Sequence, residues 1–154
     1  MSELSLRLRS RGLHMGIPVK ELMSEKVVTV EVDTPLAKVA ETMRRRNVGC
    51  VVVCERGKPV GVITEWDIMR KVVEKNLEPG RFRARDVMSS PLISVTRGTD
   101  VMEALKLMVK RRIRRLPVVE GGRLLGIVTL VDLFSVVQER REMVAEVEKI
   151  VGRK

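Results

Sequence analysis

One internal repeat decides what this chain can fold into. Met23-Ser24 returns as Met88-Ser89, an offset of 65 residues (88 − 23). The same offset, without a gap, places Val30 on Val95, Thr34 on Thr99, Met43 on Met108 and Arg46 on Arg111. It runs on through Val53 and Val118, then Gly57 and Gly122. It ends with Gly61, Thr64 and Asp67 on Gly126, Thr129 and Asp132. Chance does not hold glycine, threonine and aspartate in register over such a span. The chain is a duplication, and each copy is one repeated structural unit.

Each copy reads β-α-β-β-α. Val27–Val30 and Leu92–Val95 are short β-branched runs. Asp33-Thr34-Pro35 supplies a cap and a proline for the first helical turn. Apolar residues then recur at helical spacing: Leu36, Val39, Ala40 and Met43, and later Val101, Ala104, Leu105 and Met108. Strands are expected at Cys50–Cys54 and Leu116–Val119. The polar, glycine-bearing turns Glu55-Arg56-Gly57-Lys58 and Glu120-Gly121-Gly122-Arg123 lead back into Val60–Ile63 and Leu124–Val128 as hairpins. A second helix opens at Thr64 or Thr129. The expected fold class is α/β in the α+β sense, two tandem repeats packed sheet to sheet about a pseudo-twofold axis. A single copy of about 55 residues buries too little core to stand alone.

Four segments follow from this reading: a basic N-terminal arm over 1–17, repeats over 18–79 and 80–138, and a helical extension over 139–154. Glu74–Arg83 is the linker, where Glu78-Pro79-Gly80 breaks the helix. The extension carries an apolar stripe of Val137, Met143, Val144, Val147 and Val151, suited to packing on the module or on a second chain.

Composition narrows the function classes. Hydrophobic residues make up 44% of the chain and the mean hydropathy is near zero, which fits a globular protein with a real core. No apolar run is long enough to span a membrane, and the polar, basic start holds no apolar signal core, so the expected compartment is the cytoplasm. A net charge of +10 attracts anions, whether nucleic acid, anionic lipid or small phosphates. With Phe82, Phe134 and Trp66 as the full set of aromatics, a base-stacking platform cannot be built. Few Asn and Gln beside many Val, Arg and Glu point to a thermophilic source. Cys50 and Cys54 lie roughly 13 Å apart on one strand, too far for one metal ion or a disulfide, and read as two buried, reduced thiols.

The repeated pattern of Met-Ser, a Val-rich strand, an apolar helix and Gly-h-h-Thr-x-x-Asp (h, apolar) resembles the CBS-domain family. Gly61-Val62-Ile63-Thr64-Glu65-Trp66-Asp67 and Gly126-Ile127-Val128-Thr129-Leu130-Val131-Asp132 carry the likeness, with Leu116-Pro117-Val118-Val119. It covers about residues 18–138. The resemblance implies a regulatory module, non-catalytic and often a homodimer, that serves a regulated protein. It implies two clefts for an adenosine-containing ligand: AMP foremost, ADP or ATP, or an S-adenosylmethionine-type molecule.

Thr-x-x-Asp at a strand-to-helix corner has its own chemistry. The threonine can cap the helix, and the carboxylate one turn on can accept two hydrogen bonds from a ribose diol, beside a helix N-terminus that favours anions. The same residues also make an ordinary capping box, and the two readings stand together. By resemblance, one site joins Thr64, Glu65, Trp66 and Asp67 to Ile93, Ile113, Arg114 and Arg115. The other joins Thr129, Leu130, Val131 and Asp132 to Val28, Val48, Gly49 and Cys50. Arginines give charge-assisted hydrogen bonds to phosphate, whereas Val48-Gly49-Cys50 suits an adenine ring, so the Asp67 site is the better one for a charged nucleotide. On a strand Arg114 and Arg115 face opposite sides, and Arg115, beside Leu116-Pro117, is favoured for the phosphate. Many repeats of the family carry a basic residue just before the aspartate; here Trp66 and Val131 stand there, with Trp66 read as a packing residue. The alternative class is a nucleic-acid binder using Arg7–Arg11 and Lys110–Arg115. His14 has no partner in the sequence for a catalytic or metal role.

Overall fold

The computed structural model describes residues 16–139 and 141–152, without the side chains of 137–139, 141–144 and 146. The basic arm up to residue 15, with His14, therefore lies outside the described residues, and the side chains of the stripe positions Val137, Met143 and Val144 are likewise not described. In chain order the elements are β1 (Thr29–Glu31), α1 (Leu36–Arg46), β2 (Cys50–Glu55), β3 (Lys58–Thr64) and α2 (Glu65–Ile68), which continues as a π-helical turn over Met69–Val73. Next come α3 (Ala84–Val87), α4 (Val101–Arg111), β4 (Arg115–Glu120), β5 (Arg123–Thr129), α5 (Leu130–Glu139) and α6 (Arg141–Val151).

Two compact units result, and they are not the sequence repeats. One comprises Lys26–Ile93 with Gly121–Leu124; the other comprises the chain up to Glu25, Ser94–Glu120 and the chain from Leu125. In the first unit, β1 pairs parallel with β2 across the α1 crossover, and β2 pairs antiparallel with β3. As the central strand, β2 is buried over five successive residues, Cys50–Cys54, because both of its faces are covered. Both cysteines are free and buried, and burial, with the Glu31 carboxylate nearby, pushes the Cys54 thiol up. Leu36, Val39, Met43, Val51, Val53 and Ile63 form the core of this unit. Ala40, expected on the apolar face of α1, is exposed.

The second unit repeats the plan. Val101, Met102, Ala104, Leu105 and Met108 of α4 are buried together with Leu116, Val118 and Val128, and Val147 of α6 is buried while Val151 is exposed. The expected strand over Leu92–Val95 shrinks to a single parallel bridge between Val95 and Val118. The cause is Pro117. At the matching place in the first unit the Val52 amide donates to the Val28 carbonyl at 3.0 Å, and proline has no such hydrogen to give.

Both hairpin turns carry two successive residues at positive φ, Arg56 (50°) with Gly57 (77°) and Gly121 (57°) with Gly122 (75°). Such turns match the right-handed twist of the strands they join. The expected cap at the start of α1 is different. Pro35 occupies the cap position without a side-chain bond, and Asp33 instead pairs with Arg85 at 2.7 Å. In the second unit Asp100 does cap α4, accepting from the Met102 amide at 2.9 Å.

What closes each unit is a strap from the first residues of the other repeat. In the first unit the Ala84 and Arg85 amides bond to the Thr34 and Val32 carbonyls, and Ser89 exchanges both backbone hydrogen bonds with Val62 on the free edge of β3. In the second unit Val19 bonds to Thr99 and Lys20 to Arg97, and Ser24 exchanges both bonds with Ile127. The straps cross directly over the motif glycines. A Cβ on Gly61 would lie 2.8 Å from the Ser89 carbonyl oxygen and 2.9 Å from Met88 Sδ. On Gly126 it would lie 2.7 Å from the Ser24 carbonyl oxygen and 2.9 Å from Met23 Sδ. Only glycine lets backbone approach backbone so closely. Gly61→Ala and Gly126→Ala should each destabilise the chain by about 1–3 kcal/mol, the usual effect of overpacking. Urea denaturation checks this, and wild-type stability in either variant would count against the strap.

Candidate functional site

Each unit holds one strand-to-helix corner. In the first, β3 ends at Thr64, whose extended backbone (φ −109°) starts α2. The Thr64 hydroxyl accepts from the Asp67 amide at 3.2 Å, while Asp67 Oδ2 accepts from the Thr64 amide at 2.9 Å and its hydroxyl at 3.1 Å. The second corner repeats this: Asp132 Oδ2 accepts from the Thr129 amide at 2.8 Å and its hydroxyl at 2.9 Å. The capping reading of Thr-x-x-Asp is thus realised in both units, and it fixes where each carboxylate points.

The two carboxylates differ in what else they hold. Asp67 is buried, and its Oδ1 accepts from the Ser89 hydroxyl at 2.7 Å and pairs with Lys71 Nζ at 3.1 Å. Asp132 is only half-buried. Burial by itself would raise the Asp67 carboxyl. The hydrogen bonds from Thr64, Ser89 and Lys71, with the charge of Lys71, outweigh it and hold the group below its ordinary value. Lys71 and Ser89 were not among the expected site residues. Lys71 stands four residues after Asp67 on one helix face, a spacing that carries a signal. Ser89 lies 22 residues away and is delivered by the strap.

The remaining expected residues divide between the units. In the first, Trp66 is 61% exposed with the Arg70 guanidinium 5.9 Å over its ring, Glu65 is exposed, and Val28 and Ile93 are half-buried. The Gly49 carbonyl accepts from the Glu65 amide at 3.2 Å, and Cys50 pairs with Thr64 in the sheet. Val48-Gly49-Cys50 thus adjoins the corner of its own repeat. Val48, Gly49 and Glu65 also line an open hollow of about 390 Å³ together with Ala40, Met43, Arg44, Asn47 and Ile68. In the second unit the Arg114 carbonyl accepts from the Leu130 amide at 2.8 Å, setting Ile113-Arg114-Arg115 beside the Thr129 corner. Arg114 is exposed, Arg115 and Ile113 are half-buried, and Val131 is 76% exposed. Among the described residues, no three His, Cys, Asp or Glu side chains gather as a metal site, and no helix is long and apolar enough to cross a membrane.

A duplicated α+β frame with a capped acid at each strand-to-helix corner defines a class of paired β-α-β-β-α modules. The chain belongs to the CBS-domain family: the family model described as CBS domain matches residues 19–74 and again 84–139. An uncharacterized protein of Methanopyrus kandleri is 41% identical over 123 residues, 79% of this chain and 63% of that protein. An uncharacterized protein of Methanocaldococcus jannaschii is 33% identical over 137 residues, 80% of this chain but 32% of that protein. The chain thus spans less than two thirds of the length of these curated relatives. The solved structure of an uncharacterized conserved protein from Pyrococcus horikoshii aligns with a TM-score of 0.75 at 30% identity, covering 83% of this chain and 97% of that one. Pairs of CBS domains are generally regulatory modules that bind ligands, and such proteins often oligomerise.

The lowered Asp67 carboxyl links charge to folding. A group depressed in the folded state stabilises it above the unfolded titration range, and that contribution disappears as pH falls through the folded value. Asp67→Asn should therefore be less stable than wild type at pH 7, with the deficit shrinking as pH drops below about 4. Urea titrations at several pH values check it; a deficit constant down to pH 3 would contradict it.

Proposed function

We propose that the chain is a nucleotide sensor that binds AMP, and by extension ADP or ATP, without acting on it chemically. The observation carrying this reading is the reciprocal Thr–Asp cap found in both units. It holds an acid in a fixed orientation at the N-terminal end of a helix, the arrangement that accepts a ribose diol while the helix end and nearby cations favour the phosphate. At one site Arg114 or Arg115 supplies bidentate hydrogen bonds to the phosphate, and at the other Val48-Gly49-Cys50 supplies apolar and backbone surface to an adenine. Exposed Trp66, Met69 and Val73, lying along one short helical stretch, support a homodimer in which this apolar side is covered. The net charge of +10 adds long-range attraction for an anionic ligand.

Ligand binding then shifts an equilibrium between two states of the module, and a regulated protein reads the shift; this requires different affinities for the two states. AMP at a hundred times its Kd should add about 2.7 kcal/mol of stability in thermal unfolding. The same assay with ADP, ATP and S-adenosylmethionine ranks the ligands, and no shift with any of them overturns the reading. Asp67→Ala and Asp132→Ala should each weaken AMP by calorimetry. Unchanged affinity in both variants would remove the corner acids from the reading.

A further inference from the structure

The Asp67 corner is already occupied from within. A carboxylate offers about four acceptor positions. At Asp67 all four are met: Thr64 N at 2.9 Å and Thr64 Oγ1 at 3.1 Å on Oδ2, Ser89 Oγ at 2.7 Å and Lys71 Nζ at 3.1 Å on Oδ1. The Lys71 ammonium is equally spent, since its other contacts are the Val87 carbonyl at 2.8 Å and Ser89 Oγ at 3.2 Å. Two donors, one hydroxyl and one cation, thus sit on the oxygen that a sugar diol would need. They do not have the same freedom. Ser89 is held by two backbone hydrogen bonds to Val62, whereas Lys71 reaches the acid along a flexible four-carbon stem and is 37% exposed. At the second corner the position 65 residues on from Lys71 is Val136, which carries no charge.

We propose that Lys71, with Ser89, is a built-in competitor for the Asp67 carboxylate, so that a nucleotide ribose enters this corner only by displacing the Lys71 ammonium. The proposal rests on the nucleotide reading above and sets how tightly its Asp67 corner responds. Displacement also breaks the bond from Lys71 to the Val87 carbonyl, which removes one of the fastenings of the strap. The depressed carboxyl of Asp67 agrees with a filled acceptor set.

The test uses the full chain carrying Asp132→Asn, so that calorimetry with AMP reads the Asp67 corner. Lys71→Met in that background should tighten AMP about tenfold, while Lys71→Arg, which keeps the cation, should leave the affinity at the parent value. In parallel, carboxyl NMR of the ligand-free protein should show Asp67 titrating higher in Lys71→Met than in the parent. Unchanged AMP affinity, or an Asp67 titration that does not move, overturns the competitor while the nucleotide reading stands. Weaker binding in Lys71→Met overturns it too, by placing the ammonium on the ligand. Binding to neither protein overturns the competitor together with the nucleotide reading of the Asp67 corner, and AMP binding by the unsubstituted chain then tells whether the Asp132 corner alone carries that reading.

Discussion

The structure depends on the contact between a glycine in one strand and the backbone of the strap that crosses it. Gly61 and Gly126 leave less than 3 Å between an imagined Cβ and a carbonyl oxygen of the strap. That closeness lets Ser89 and Ser24 add to the free edges of β3 and β5 with two hydrogen bonds each. A third consequence is chemical. Because the strap passes at this height, the Ser89 hydroxyl arrives at Asp67, so the packing of the sheet edge and the state of the candidate site are one question.

Much of this was legible in the residues. The 65-residue register identified both glycines, both Met-Ser pairs and both Thr-x-x-Asp corners as equivalent, and the family model divides the chain at the same interval. The turns at Arg56-Gly57 and Gly121-Gly122 announced their hairpins, and the apolar run at Cys50–Cys54 announced a strand, though not that both of its faces are covered. What was hidden depended on long-range partners. No local pattern shows that Asp33 gives up its cap for Arg85, 52 residues away, or that the opening residues of one repeat complete the unit of the other. The loss of the Leu92–Val95 strand was readable in principle, since Pro117 lacks the amide that Val52 supplies at the matching position.

At the corners, one pair of residues serves two purposes. The threonine and aspartate terminate a strand, start a helix and orient an acid, all through the same three hydrogen bonds. Replacing either therefore disturbs folding before it reports on binding. Lys71 is more informative because it touches the acid from outside that cap. Where the corners differ, the difference is one of charge: an ammonium beside Asp67, and the apolar Val136 at the equivalent position after Asp132.

The exchanged straps have a consequence for how such a chain can be divided. A cut placed between the sequence repeats would separate Ser89 from Val62 and Ser24 from Ile127, stripping an edge from both sheets at once. Neither fragment would carry all the backbone it needs, and each would have to borrow the missing segment from another molecule. The duplication has thus made its halves mutually obligate, so that the smallest heritable piece of this fold is the whole pair.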